Sequence, residues 1–161
     1  MLTSFPPILP ERPQILILGS MPGKESLRKQ QYYAHKQNQF WRMLYRILEI
    51  DFIEEYEEKK KCLLDNQIAL WDVLKHCERE TSLDSDIKDE IPNNIAELIE
   101  EHTTLQAVCF NGQKSLQVFK RFIGFKHSVE YLTLPSTSPA HASKSFEEKF
   151  DIWKQLKNYI V

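Results

Sequence analysis

The segment Gln31-Tyr-Tyr-Ala-His-Lys-Gln-Asn-Gln-Phe-Trp41 concentrates side chains that can do chemistry. Aromatic rings in a basic loop offer stacking faces beside cations, which is what binding an unstacked nucleic-acid base requires. Phe40 and Trp41 also fit the apolar stripe of the helix that follows, whereas Tyr32, Tyr33 and Asn38 precede that stripe. Asn38 is equally suited to cap the helix, its side-chain oxygen accepting an orphan backbone N–H.

Three other polar clusters accompany it. Gly19-Ser-Met-Pro-Gly-Lys-Glu-Ser26 invites comparison with a phosphate-binding loop, G-x-x-x-x-G-K-[ST], and departs from it. The glycine spacing is one residue short, and Glu25 stands where a hydroxyl is needed, so its charge would repel the phosphate. Pro135-Ser-Thr-Ser-Pro139 offers three hydroxyls between two prolines, and Asn111-Gly112 forms a turn dipeptide. The five histidines, at 35, 76, 102, 127 and 141, include no pair at metal-ligand spacing. Cys62, Cys77 and Cys109 are odd in number and contain no C-x-x-C pair, so neither a disulfide framework nor a four-cysteine cluster is expected. No metal and no cofactor are expected.

These clusters fall where an alternating fold would gather them. Four short apolar runs, Gln14–Leu18, Ile68–Trp71, Leu105–Phe110 and Val129–Leu134, read as buried strands, each followed by a helical pattern. Helices are expected over 38–50, over 54–63, around Ile95–Ile99, after Gly112 with Leu116, Phe119, Phe122 and Ile123 inward, and over 143–159. The last has Ser145 and Glu148 as a capping box. The pattern predicts a three-layer α/β/α sandwich on a short, mostly parallel four-stranded sheet, one domain spanning 1–161. In such sheets ligands bind beyond the carboxyl ends of the strands, which here are Gly19–Gly23, Trp71-Asp72, Asn111-Gly112 and Pro135–Pro139.

Charge and composition narrow the class. With 161 residues, 42% apolar and 27% charged, the chain has the composition of a globular domain rather than a disordered one. No apolar run reaches the ~20 residues that span a bilayer. The N-terminus lacks a basic leader and is broken by prolines, so a signal peptide is not expected and the cytoplasm is the expected location. The net charge of −2 hides an asymmetry. Residues 24–46 hold six Lys/Arg against Glu25 alone, and residues 111–127 hold Lys114, Lys120, Arg121 and Lys126 with no acid. If the two segments share a face, that face can hold a polyanion; otherwise they are ordinary solvated helix surfaces.

Taken together in order, GSMPG, QYYAHKQNQFW, LWDVL with CER and SLDSDI, FNG and LPSTSPAHA resemble the uracil-DNA glycosylase superfamily, and within it the hypoxanthine-DNA (deoxyinosine) glycosylase class. The resemblance covers nearly the whole chain. It implies hydrolysis of the N-glycosidic bond of a flipped-out deaminated base in damaged DNA, leaving an abasic site, by a monofunctional, monomeric enzyme. It implies Asn38, of the N-x-F-W motif, as the catalytic residue that orients water and base. Gly19, Ser20, Met21, Tyr33, Phe40, Asp72 and Asn111 become the base pocket, with the Tyr33 ring receiving the base and Asp72 and Asn111 touching its polar edge. Lys24, His35, Lys36, Lys114, Ser136, Thr137, Ser138 and His141 become the DNA contacts. Met21 departs from the polar Asp or Asn of uracil- and mismatch-specific members, and Leu134 from the histidine of classical uracil enzymes. Two readings stay open beside this one: a uracil- or mismatch-specific glycosylase, and a catalytically idle DNA-binding module.

Overall fold

The computed structural model describes residues 1–160. Its centre is a parallel sheet of β2 (Ile15–Gly19), β3 (Ile68–Asp72), β6 (Ala107–Asn111) and β7 (Glu130–Leu134), in the spatial order β3-β2-β6-β7. The expected four strands are thus present, and all pair in parallel. Alternate side chains of the central strands enter two cores, because successive residues of a strand point to opposite faces. Ile15, Ile17, Ile68, Leu70, Ala107 and Cys109 join one core, and Leu16, Leu18, Ala69, Val108 and Phe110 the other.

The first core is closed by α2 (Phe40–Ile47), α3 (Tyr56–Asp65) and α6 (Phe146–Trp153). Fully buried Phe40, Met43, Leu44 and Ile47 form the inner stripe of α2, as the spacing predicts. The capping box at the head of α6 is formed: Ser145 N–H donates to Glu148 Oε1 (2.9 Å) and Glu148 N–H to Ser145 Oγ (3.2 Å). The expected single helix over 143–159 is in two pieces, α6 and a tighter 3₁₀ turn over Lys154–Tyr159. Its inward residues Trp153 and Leu156 are buried as expected.

The second core is closed by α4 (Ile95–Glu101) and α5 (Gln113–Phe122), and also by an antiparallel sheet absent from the expected architecture. That sheet orders β1 (Leu2–Thr3), β4 (Leu74–Glu78) and β5 (Lys88–Pro92) as β1-β4-β5. Its strands escape a hydropathy reading for a physical reason. β4 buries only Leu74 and Cys77, and β5 (Lys-Asp-Glu-Ile-Pro) is polar, held by pairing to β4 through an irregular register rather than by burial. A short helix, α1 (Lys24–Lys29), is likewise unforeseen. Among the described residues no helix is long and apolar enough to cross a membrane.

Removing the α6 cap isolates one local contribution. Ser145→Ala should lower the unfolding free energy by about 1 kcal/mol in urea melts, with no change in the slope of the transition.

Candidate active site

The register of the parallel sheet brings its strand ends level. Gly19 pairs with Asp72 across β2 and β3, and Asn111 with Leu134 across β6 and β7. Beyond these ends lies a cavity of about 530 Å³, within the range of roughly 300–1,000 Å³ typical of small-molecule sites. The loop after β2 lines it from Gly19 to Ser26, and the approach to α2 contributes Tyr33, His35 and Asn38. Asp72, the 82–85 turn, Asn111–Lys114 and Ser136–His141 complete the wall. The four polar clusters of the sequence therefore share one cavity.

Gly19 is the tightest point. A Cβ there would lie 2.5 Å from Asp72 Oδ1 and 3.0 Å from the Tyr33 hydroxyl, so any side chain would displace the strand or those groups. Ser20 Oγ donates to Asp84 Oδ1 (2.7 Å), tying the loop to the 82–85 turn. Met21, 6% exposed, supplies an apolar part of the wall.

Tyr33 adopts a left-handed backbone (φ 53°), a conformation that non-glycine residues rarely take and that clusters at functional sites. Its ring stacks on Phe40, with centroids 4.3 Å apart and planes 25° from parallel. Phe40 in turn meets Trp41 and Trp153 edge-on. Phe40 itself does not line the cavity, as the pocket assignment implied. It is completely buried and serves as the backing on which Tyr33 rests. Tyr32, whose early position set it apart from the helix, also belongs to the core. It is 3% exposed, and its hydroxyl donates to Pro6 O (2.9 Å).

Asn38 lines the cavity and also braces the head of α2. Its Oδ1 accepts Phe40 N–H (3.0 Å), relieving an orphan donor at the head of α2, although Gln39 is the residue at the cap position. The same bond fixes which end of the amide faces the cavity. Among the described residues its Nδ2 has no partner. The adjoining Gln39 N–H donates to Thr137 O (3.0 Å), joining this loop to the 134–141 loop.

Two residues expected at the ligand, Asn111 and Thr137, both line the cavity but bond each other. Thr137, expected at DNA phosphates, is 1% exposed; Asn111, expected at a base edge, is its partner. Asn111 Nδ2 donates to Thr137 Oγ1 and Thr137 N–H donates to Asn111 Oδ1, both at 3.0 Å. The pair is an internal clamp that positions the loop. Ser136 and Ser138 accept backbone N–H groups of Ser138 (3.1 Å) and Ala140 (3.2 Å), so their hydroxyls also brace it. From outside, Trp153 Nε1 donates to Pro135 O (2.8 Å) and Lys149 Nζ to His141 O (2.7 Å). Lys149 is only 2% exposed, and burial lowers its pKa. Neither anchor is apparent in the sequence, because both side chains lie in a helix whose pattern shows only its apolar face. The His141 imidazole has its pKa lowered by burial and by Lys149 and Lys144.

Charge at the rim is less basic than composition suggests. Lys24, His35 and Lys114 line the cavity, and Lys36 is exposed beside His35. Lys114, however, is paired with Glu90 (3.1 Å). Arg28 pairs with Glu25, and Arg46 with Glu147. The basic segment 24–46 is thus partly neutralised by its neighbours. Asp72 is the exceptional acid. It is 3% exposed, Oδ2 has no hydrogen-bond partner, and its pKa is pushed up to about 7, by burial first and then by the nearby Asp84 carboxylate, with Arg79 opposing. Among the described residues no cluster of three or more His, Cys, Asp or Glu side chains could hold a metal ion.

A parallel sheet whose strand ends carry a stacked aromatic, a fixed amide and a buried acid in one cavity defines an α/β protein with a ligand-sized cavity beyond its strand ends. The known proteins it is similar to agree. Residues 6–157 match the sequence model of the Uracil DNA glycosylase superfamily, and the chain belongs to that superfamily. Over 152 residues it is 41% identical to a protein of Methanosarcina acetivorans named Hypoxanthine DNA glycosylase, covering 91% of this chain and 94% of that one. Over 112 residues it is 46% identical to a protein of the same name from Methanosarcina barkeri, covering 69% and 71%. A solved NMR structure from Methanosarcina acetivorans superposes with a TM-score of 0.82 at 38% identity, covering 98% of this chain and 97% of that one.

Two substitutions test the architecture of the site. Thr137→Val strands the Asn111 amide and should cost about 1–3 kcal/mol of stability in denaturant melts. Gly19→Ala should broaden or shift the NMR signals of Asp72 and Tyr33 before those of the distant helix α3, because the new methyl meets the carboxyl directly.

Proposed function

We propose that this protein is a monofunctional DNA glycosylase that removes a deaminated base, hypoxanthine foremost, by hydrolysing its N-glycosidic bond. It acts on damaged DNA as a monomeric, cytoplasmic enzyme, with residues 1–161 forming one domain. The observation that carries the reading is the sharing of one cavity by the Tyr33 ring and the fixed Asn38 amide at the ends of the buried strands. The relatives named Hypoxanthine DNA glycosylase support hypoxanthine as that base.

The proposed sequence of events begins with extrusion. Unstacking a nucleotide costs on the order of a few kcal/mol, which phosphate contacts from Lys24, His35, Lys36, Lys114 and the Ser136–His141 loop offset. The extruded base lies against Tyr33, whose ring Phe40 holds flat from beneath. The bond from sugar to base then lengthens, leaving oxocarbenium character on the sugar and negative charge on the base. Water adds to C1′ as the electron pair of the C1′–N9 bond departs with the base, and the water's surplus proton leaves to solvent. A neutral amide is a poor base. Asn38 therefore contributes by holding that water and the base in place, and catalysis rests on positioning and on dipoles aimed at the developing charge.

The test uses duplex and single-stranded oligonucleotides carrying one inosine, uracil or xanthine, followed by alkaline cleavage of abasic sites. Release of hypoxanthine is expected, with Asn38→Ala slower by roughly 10²–10³-fold in single turnover while DNA binding is retained. Uracil released well ahead of hypoxanthine would overturn the substrate assignment, and binding without release of any base would overturn the enzymatic one. Tyr33→Ala should weaken binding to inosine-containing DNA by about 1–3 kcal/mol without lowering affinity for undamaged duplex, measured by fluorescence anisotropy.

A further inference from the structure

Deamination makes the same change in every base it strikes: an exocyclic amino group, a hydrogen-bond donor, becomes a carbonyl, an acceptor. A pocket that accepts hypoxanthine and rejects adenine therefore needs a buried donor facing that position. The cavity holds a side chain suited to this. The Asp72 carboxyl stands at the tip of β3, and its Oδ1 packs against the Gly19 backbone. Its Oδ2 is buried and has no protein partner.

We propose that Asp72 is the deamination sensor of this site, a neutral carboxylic acid whose O–H donates to the carbonyl oxygen that deamination creates. This deepens the glycosylase reading and rests on it. At the same place adenine would set its own amino donor against that O–H, and the bond is lost unless the carboxyl ionises or turns. The bond also strengthens as the reaction proceeds, because the departing base spreads negative charge onto the carbonyl oxygen. An ionised Asp72 would do the opposite and repel both the carbonyl and the leaving anion.

The surroundings favour the neutral form. Asp72 takes part in no ion pair within 4 Å among the described residues, so its charge would be buried without a close counter-ion. Arg79, the nearby cation, donates through Nη2 to Pro22 O, keeps Nε and Nη1 buried without partners, and opposes protonation of Asp72. Asp84 on the 82–85 turn pushes the other way. The two tyrosines that feel the Asp72 charge, Tyr33 and Tyr32, are themselves held un-ionised by burial. Burial and Asp84 together lift the Asp72 pKa to about 7, so the acid form predominates below neutrality and is lost as pH rises through that value. Carboxylic acids kept neutral by an apolar site serve as donors in this way elsewhere in enzyme chemistry.

Two measurements on the full chain decide the matter. In protein labelled with ¹³C-aspartate, the Asp72 carboxyl signal, assigned by its loss in Asp72→Asn, is expected to titrate with a midpoint near 7. A midpoint below about 5, near the ordinary aspartate value, overturns the proposal. In single-turnover release of hypoxanthine, the wild-type rate is expected to fall about tenfold per pH unit above the midpoint. Asp72→Asn, which offers an N–H donor that does not titrate, is expected to lose that decline. Asp72→Leu is expected to lose more than 100-fold while melting at a temperature close to wild type. Parallel pH profiles in wild type and Asp72→Asn, or full activity in Asp72→Leu, overturn the sensor alone. A wild-type protein that releases no base at any pH overturns the glycosylase reading and the sensor with it.

Discussion

The contact between the end of β2 and its neighbours sets the geometry of everything in the cavity. Because Gly19 has no side chain, the β2 backbone, the Asp72 carboxyl and the Tyr33 hydroxyl occupy a volume that one additional methyl group would fill. The in-register parallel pairing of β2 and β3 delivers Asp72 to that spot, and the two buried cores on either side of the sheet hold the register. The left-handed backbone of Tyr33 is tolerated because Phe40 and the aromatic layer beneath it fix the ring from below.

The loops around the cavity are held by polar clamps rather than by apolar packing. Asn111 and Thr137 bond each other reciprocally, and Lys149 and Trp153 reach from α6 to carbonyls at both ends of the 134–141 loop. A loop at the mouth of a cavity cannot bury itself, so internal hydrogen bonds are the available means of stiffening it. The electrostatics are divided in the same spirit. Cations stand at the rim, while the interior holds a buried acid whose charge is suppressed by burial and by Asp84.

Much of this was legible in the sequence, and the limits have physical causes. The continuous apolar runs at 14–18 and 105–110 announce strands buried on both faces, and that alternating order places Gly19, Asp72, Asn111 and Ser136 at one end of the sheet. The antiparallel sheet was not legible, because β5 has no apolar face to announce it. Phe40 was assigned both to the core and to the pocket, and only packing shows that it supports the pocket from behind. Thr137 and Asn111 were read as ligand contacts because hydroxyl and amide side chains in a strand-end loop suit either role. Their commitment to each other is a three-dimensional fact. The raised pKa of Asp72 is of the same kind, since it arises from burial and from Asp84, twelve residues away in the chain.

The account stands on the claim that a base leaves the duplex and is received on Tyr33 within reach of the Asn38 amide. The most direct measurement is a crystal structure of the protein with duplex DNA carrying a 2′-fluorinated deoxyinosine, whose glycosidic bond resists cleavage because the fluorine disfavours positive charge on the sugar. The account predicts the hypoxanthine ring extruded and stacked on Tyr33, with the Asn38 side chain beside C1′. A hypoxanthine that stays paired in the helix, or one bound away from Tyr33 and Asn38, would contradict it.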